Sequence, residues 1–310
     1  MVRTQQAVAF VARHGMTSRQ YQDAFNQYVD QGYRLVHVSG YGEGDRTRYA
    51  AIWEKRQGPA WVARHGMTSR QYQDAFNQYV DQGYRLVHVD GYGEGDRTRY
   101  AAIWEKRQGP AWVARHGMTS RQYQDAFNQY VDQGYRLVHV DGYGEGDRTR
   151  YAAIWEKRQG PAWVARHGMT SRQYQDAFNQ YVDQGYRLVH VSGYGEGDRT
   201  RYAAIWEKRQ GPAWVARHGM TSRQYQDAFN QYVDQGYRLV HVSGYGEGDR
   251  TRYAAIWEKR QGPAWVARHG MTSRQYQDAF NQYVDQGYRL VHVDGYGEGD
   301  RTRYAAIWEK

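Results

Sequence analysis

The chain contains no cysteine, which excludes a disulfide framework and thiolate chemistry and would suit a reducing or an oxidising compartment. No apolar run approaches the ~20 residues that a membrane-spanning helix requires. The N-terminal sequence MVRTQQAVAF also lacks the long apolar stretch of a signal peptide. We therefore expect a soluble protein without a signal peptide, and the sequence does not indicate its compartment.

Proline is scarce as well, and its five occurrences mark a repeat. The residues from Pro59 to Gly109 return at Pro110, Pro161, Pro212 and Pro263, and an altered copy opens the chain. Beyond the entry to each copy one position varies, and it holds Ser39, Asp90, Asp141, Ser192, Ser243 and Asp294. Identity at a fixed period predicts one repeat domain over 1–310. Its units are 1–58, 59–109, 110–160, 161–211, 212–262 and 263–310.

A helix is well marked in each unit. In the first, Thr17 and Gln20 have the spacing of a capping box, and Met16 and Tyr21 that of a hydrophobic staple. An apolar stripe follows at helical spacing, formed by Tyr21, Ala24, Phe25, Tyr28 and Val29. Gly32 occupies the position that favours a left-handed helix end. These signals predict a helix over about 18–31.

Three strands complete the unit. Alternation predicts a strand over 33–41, with Tyr33, Leu35, His37, Ser39 and Tyr41 on one face. The glycine-rich hairpin GYGEGD leads to a second strand over about 47–55. A third strand, over about 60–64, follows the Gln-Gly-Pro turn and enters the next unit. Each unit thus reads strand-helix-strand-strand, and we expect a hairpin turn between units.

The ends of the chain favour closure. A unit of about fifty residues buries only a marginal core, so neighbours must share one, and open arrays need polar end caps. The last unit ends at Trp308-Glu309-Lys310 without such a cap. We expect an α+β repeat protein with antiparallel sheets whose N-terminal strand pairs with the C-terminal one. The six units would then form a closed six-fold propeller-like toroid, and an open curved array is the alternative.

The segments YAAIWEK, GPAWVARHGMTS and QGYRLVHVSGYG resemble the bacterial tandem repeat family. In that family the repeats precede serine hydrolases similar to β-lactamases, polyglycine hydrolases and esterases. The resemblance covers essentially the whole chain, six times. It implies that catalytic residues belong to a separate domain. No Ser-x-x-Lys motif occurs in this sequence, so no catalytic residue is carried over.

The net charge of +9 is spread over the units. In a ring, each recurring arginine would form a circle of like charge, which a compact polyanion would relieve. We expect weak, salt-sensitive binding of compact polyanions at the symmetry axis through guanidinium groups. The contact candidates are Arg34, Arg46, Arg48, Arg85, Arg97 and Arg99. Nucleic acid is not expected, because arginines alternate with acids and form no extended basic stripe.

Metal and phosphate sites are not expected. His14 and His37 lie on different predicted strands without cysteine or well-spaced carboxylates, which favours structural histidines over a zinc site. Asp90, Glu94 and Asp96 resemble calcium ligands, but their spacing is not that of an EF-hand, so we expect solvated hairpin carboxylates. The same glycine-rich hairpin lies between antiparallel strands, not before a helix, which disfavours a phosphate cradle.

Catalysis is not expected either. Thr17 and Ser18 lie near His14 in sequence, but capping already occupies Thr17, and no cofactor is indicated. Regularly placed aromatics could bind sugars or peptides, yet in repeats they more often form the shared core. They are Tyr33, Tyr41, Tyr49, Trp53 and Trp61, and both tryptophans are assigned to packing between neighbouring units.

These patterns favour a non-catalytic symmetric scaffold with no evolved ligand. The near-identity of the units indicates very recent duplication or deliberate symmetrisation, and we favour an engineered protein. The alternative is a binding module for a polymer such as a cell-wall glycan or peptide, derived from a secreted hydrolase. The sequence leaves the oligomeric state and the purpose of the Ser/Asp variation open.

Overall fold

The computed structural model describes residues 10–43, 46–94, 97–145, 148–196, 199–247, 250–298 and 301–310. Each unit contains an entry strand, a helix, an inner strand and a middle strand, in that order. In the first unit these are β1 (Phe10–Met16), α1 (Ser18–Asp30), β2 (Arg34–Glu43) and β3 (Arg46–Glu54). The predicted order of elements is confirmed.

The same four elements recur in the later units. The entry strands are β4 (Trp61–Met67), β7 (Trp112–Met118), β10 (Trp163–Met169), β13 (Trp214–Met220) and β16 (Trp265–Met271). The helices are α2 (Ser69–Asp81), α3 (Ser120–Asp132), α4 (Ser171–Asp183), α5 (Ser222–Asp234) and α6 (Ser273–Asp285). The inner strands are β5 (Arg85–Glu94), β8 (Arg136–Glu145), β11 (Arg187–Glu196), β14 (Arg238–Glu247) and β17 (Arg289–Glu298). The middle strands are β6 (Arg97–Glu105), β9 (Arg148–Glu156), β12 (Arg199–Glu207), β15 (Arg250–Glu258) and β18 (Arg301–Glu309).

The helices begin and end where the sequence predicts. The Thr17 hydroxyl accepts from the Gln20 amide, and the Gln20 side chain accepts from the Thr17 amide, so the capping box is complete. Gly32 follows the helix with φ +82°, a left-handed conformation that other residues rarely adopt. Among the described residues, no helix is long and apolar enough to cross a membrane.

Each unit forms its own three-stranded antiparallel sheet, in the order entry, middle, inner strand. The expected pairing of the N-terminal strand with the C-terminal strand is therefore wrong: β1 pairs with β3, within its own unit. The expected hairpin between units is wrong for the same reason. The middle strand already has a partner on each side, so the chain must leave the sheet before it enters the next unit.

The inner strand departs from the predicted alternation. Its pairing with β3 shifts between Leu35 and His37, which places an extra residue, Val36, on the inner strand. Leu35 and Val38 consequently lie in the same hydrophobic core, together with Trp53. The expectation that Leu35 shares a face with His37 and Ser39 is wrong because this bulge reverses the side-chain alternation.

Aromatic side chains fill the space between helix and sheet. Trp53 is fully buried, and its ring lies 5.1 Å from that of Tyr28 and 6.1 Å from that of Tyr21. Both tyrosines come from the helix of the same unit, so the assignment of Trp53 to packing between units is corrected. Trp61 does pack between units, with its ring 5.6 Å from that of Phe25. Tyr41 and Tyr49 are buried, so the core assignment of these aromatics is confirmed.

The last unit contacts the first unit through the same kinds of contact that join the other pairs of neighbouring units. The hydroxyls of Tyr304 and Tyr41 lie 2.5 Å apart, as those of Tyr49 and Tyr92 do at 2.8 Å. One core cluster contains Ile52 of the first unit and Trp308 of the last. The end units therefore bury apolar surface against each other.

Candidate functional site

The most elaborate polar contact of each unit lies at the junction with the next. The Arg34 guanidinium donates to the Pro59 carbonyl (2.5 Å) and to the Glu105 carboxylate (3.2 Å). It also lies over the Trp61 ring, with 5.6 Å between its central carbon and the ring centroid. Only 11% of the Arg34 side chain is exposed, so this ion pair is shielded from water and salt. Arg34 thus contacts three groups at one junction, namely the Pro59 carbonyl, the Glu105 carboxylate and the Trp61 ring.

A second recurring contact joins the hydroxyls of two buried tyrosines. Tyr49 of one unit meets Tyr92 of the next, and the Tyr92 hydroxyl accepts a bond from the Gly66 amide. Burial raises the pKa of Tyr92 above its ordinary value, so its hydroxyl stays protonated. The neighbouring Gly40 must lack a side chain, because a Cβ there would lie 2.3 Å from the Tyr92 ring.

A serine and a histidine also meet across each junction. The Ser69 hydroxyl lies 3.0 Å from Nε2 of His116, which is also 3.3 Å from the Ser69 carbonyl oxygen. A carbonyl oxygen only accepts, so Nε2 carries the proton and cannot take one from the hydroxyl. Burial lowers the pKa of His116, which keeps the ring neutral. The pair is therefore structural and does not resemble an activated nucleophile.

Six histidines meet where the inner strands face one another. They are His37, His88, His139, His190, His241 and His292, and we call them the central histidines. The rings of His37 and His88 lie 5.0 Å apart, and those of His139 and His190 lie 5.7 Å apart. Burial lowers the pKa of His37 well below its ordinary value, and the charges of His88 and His292 lower it further.

Alternate central histidines make different bonds. Nε2 of His88 lies 2.8 Å from the Val38 carbonyl oxygen, and His190 and His292 make the same contact one unit earlier. In His139 and His241 this contact is weaker, because Nε2 of each is buried without a well-formed hydrogen bond among the described residues. The Val89 and Val191 backbones still oppose the fall in the pKa of these two histidines. Burial lowers the pKa of each to about 3, so both remain neutral near pH 7. The central histidines are thus uncharged structural groups.

The variable position lies next to the central histidines. The carboxylate of Asp90 accepts from the Gly40 amide at 2.6 Å, and that of Asp294 from the Gly244 amide at 2.6 Å. Burial raises the pKa of Asp141 to about 7, and burial also raises that of Asp294 to about 7. The expectation that Asp90 is a solvated hairpin carboxylate is wrong, because it lies on the inner strand, is half-buried and accepts a hydrogen bond from the Gly40 amide of the preceding unit.

The predicted calcium-like loop comprises Asp90, Glu94 and Asp96. Asp96 and the side chain of Glu94 lie outside the described residues. Within the described part of the chain, no group of three or more histidines, aspartates or glutamates has the geometry to hold a metal ion. Alternation places the variable position on the same strand face as the histidine two residues earlier, but the sequence does not indicate that this face is shared with the inner strands of the neighbouring units.

The six arginines named as polyanion contacts separate into distinct environments. Arg34 and Arg85 are buried in junction ion pairs with Glu105 and Glu156. Arg97 is exposed on its strand, whereas Arg48 and Arg99 are half-buried. The Arg46 side chain lies outside the described residues. Anion binding by these residues stays a prediction, but the side chains of several units that interact with one another are the central histidines and the aspartates of the variable position.

Later counterparts of Arg48 and Arg99 line two cavities between units. The cavity between the fourth and fifth units has a volume of about 680 Å³ and includes Arg201 and Arg252. The cavity between the fifth and sixth units has about 460 Å³ and includes Arg252 and Arg303. The repeat places these arginines at equivalent positions of their units, but the sequence alone does not show that they lie at clefts between units.

Comparison with protein families identifies the repeat. The family model described as a polyglycine hydrolase-like structural repeat matches residues 7–56, 58–107, 109–158, 160–209, 211–260 and 262–310. These six matches confirm the suspected repeat family and account for nearly the whole chain. The matched model describes a structural repeat and not a catalytic domain. The chain therefore belongs to the family of polyglycine hydrolase-like structural repeats.

Proposed function

We propose that this protein is a non-catalytic symmetric scaffold, engineered by symmetrising one repeat, whose six units close into a propeller-like toroid. The proposal rests on what the recurring polar side chains contact. Arginine, tyrosine, serine and histidine side chains that a binding or catalytic surface could use are engaged in contacts between neighbouring units.

Closure is supported by contacts between the last and first units. Nε2 of His14 lies 3.0 Å from the Ser273 hydroxyl, and Arg289 pairs with Glu54. Tyr41 packs against Gly295, where a Cβ would lie 2.7 Å from the ring. Each contact has a counterpart at the covalently linked junctions. A ring leaves no exposed end face, which removes the need for end caps.

This junction differs from the others at Arg289 and at Phe10. Arg289 has 41% of its side chain exposed, compared with 11% for Arg34, and its Nε is buried without a partner among the described residues. Phe10 also stands where the later units have tryptophan. We infer that this seam is the weakest of the six junctions.

The alternative function, a binding module for a glycan or peptide, would need exposed aromatic platforms. Trp53 and its five counterparts are fully buried, which leaves them no surface for stacking on a sugar. Trp61 is half-buried and has Arg34 over its ring. These placements favour the scaffold.

Fragments of the chain test closure. A two-unit fragment, residues 1–108, should form trimers, and a three-unit fragment, residues 1–159, should form dimers, because each assembly restores six units. Sedimentation velocity would show single species of the mass of the full protein. Polydisperse chains that lengthen with concentration would contradict the ring and indicate an open array. The Arg34→Ala/Arg85→Ala variant of the two-unit fragment is the control, since it weakens the contacts that drive assembly.

A further inference from the structure

The two cavities between units are lined by positive groups. We call them the 4–5 cleft and the 5–6 cleft, after the units on either side. Arg199, Arg201 and Arg252 line the 4–5 cleft, and Arg250, Arg252 and Arg303 line the 5–6 cleft. None of the described lining residues is acidic. Arg252 lines both clefts, so adjacent clefts are linked by a shared guanidinium.

A helix N-terminus adds to this charge. Thr221, the N-cap of α5, lines both clefts, and Ser171, the first residue of α4, lines the 4–5 cleft. The first amides of a helix have no carbonyl partner within it, and the helix dipole makes this end positive. The first turns of α4 and α5 contain no acidic residue to balance that charge.

Unsatisfied hydroxyls provide independent support. Thr200 lines the 4–5 cleft and Thr251 the 5–6 cleft, and each has a buried hydroxyl oxygen without a hydrogen-bond partner among the described residues. A buried polar group without a partner costs free energy, and a ligand atom that accepts its proton would recover that cost. Each threonine thus adds one hydroxyl without a partner among the described residues to the wall that the arginines line.

We propose that these inter-unit clefts are binding sites for phosphate-type oxyanions. Guanidinium groups pair with tetrahedral oxyanions through parallel hydrogen bonds, and helix N-termini and hydroxyls supply further donors. A guanidinium has five N–H donors, so a partner on one edge leaves others for the ligand. Because Arg252 serves two clefts, a compact polyphosphate should bind more tightly than inorganic phosphate. The sites lie between units and not among the central histidines, so they differ from the axial site that the sequence predicted.

Calorimetric titration of the full chain with inorganic phosphate and with tripolyphosphate tests the proposal. We expect saturable binding at 20 mM NaCl, tighter for tripolyphosphate, and clearly weaker binding at 200 mM NaCl. The test variant replaces five cleft arginines by glutamine, at positions 99, 150, 201, 252 and 303. The control replaces the five turn arginines at positions 56, 107, 158, 209 and 260, which gives the same change in net charge.

The cleft variant should lose about tenfold or more in affinity, and the turn variant less than about twofold. Circular dichroism and melting without anion establish that both are folded. If the fivefold cleft variant does not fold, Arg252→Gln compared with Arg209→Gln provides the same comparison for two clefts. Equal losses in both variants would mean that net charge alone attracts the anion and would overturn the proposal. Absence of binding to the parent protein at low salt would also overturn it.

Discussion

At the scale of single residues, the position that varies between units has the largest consequences. Asp141 and Asp294 carry carboxyl groups in the interior, and burial raises the pKa of each to about 7. Ser39, Ser192 and Ser243 occupy the same position without a titratable group. The chain thus contains its own evidence that serine fits there, which makes the substitution Asp→Ser a conservative probe.

A pH series should reveal the interior carboxyl groups. In Asp141 the folded pKa exceeds the ordinary value of 3.8, so the folded state binds the proton more tightly. The resulting stabilisation is present below about pH 4 and is lost as the pH rises towards about 7. Relative to a variant with serine at 90, 141 and 294, the parent should therefore lose stability as the pH rises from about 4 to about 7. Urea denaturation measures this difference, and parallel curves for the two proteins would contradict it.

The comparison with the serine variant is necessary because the buried histidines stabilise the protein as the pH rises, whereas the aspartates destabilise it. Burial lowers the pKa of His14 from 6.5 to about 4, so its contribution to stability is present above pH 6.5 and is lost as the pH falls. Burial likewise lowers the pKa of His139 to about 3. Both proteins contain the same histidines, so their effect cancels in the difference.

Two tryptophans on either side of one junction, Trp104 and Trp112, should differ strongly in their contribution to stability. Trp104 is fully buried against its own helix, whereas Trp112 is half-buried at a junction. Trp104→Ala leaves a large cavity and should cost about 3–5 kcal/mol in the free energy of unfolding. Trp112→Ala should cost clearly less, because part of that surface already meets water. Equal midpoints in urea denaturation for the two variants would contradict the burial assignment.

At the scale of elements, the helix was predictable and the inner strand was not. A capping box, an apolar stripe and a terminal glycine are local signals, and all three agree over Ser18–Asp30. The bulge at Val36 depends on tertiary packing, because both Leu35 and Val38 must reach the core beneath the helix. That core forms only after the strands pair. Strict alternation therefore grouped Leu35 with His37 and Ser39, although Leu35 packs in the core with Val38.

Close packing of inner strands gives a prediction at this scale. Gly91 lies against Tyr143 of the next unit, and a Cβ at Gly91 would lie 2.5 Å from that ring. Gly91→Ala should therefore cost about 1–3 kcal/mol by overpacking. Combining it with Tyr143→Leu, which makes room, should cost less than the sum of the single changes. Additive losses in urea denaturation would show that the two residues do not meet.

At the scale of the whole molecule, repetition made the architecture predictable but not the junctions. The period gave the number of units, and the shared aromatic core followed from their small size. The junction contacts could not be predicted, because Arg34 pairs with Glu105 across 71 positions of sequence. Identical units offer every arginine several equivalent glutamates, and only the three-dimensional path of the chain selects one.

Deletion of one whole unit tests the ring against an open array. In an open array each unit adds its own stability and one interface, so a chain without 110–160 should remain monomeric and lose stability modestly. In a ring of six, each junction has the angle that six units need, so five units joined at that angle leave a gap. The facing surfaces of the first and last units are then exposed. We therefore expect a large fall in melting temperature and self-association of the five-unit chain. Deletion of 110–262, which leaves three units, should instead give a well-defined dimer with six units. A stable monomer after either deletion would contradict closure, since the Tyr41–Tyr304 and His14–Ser273 contacts would then be dispensable.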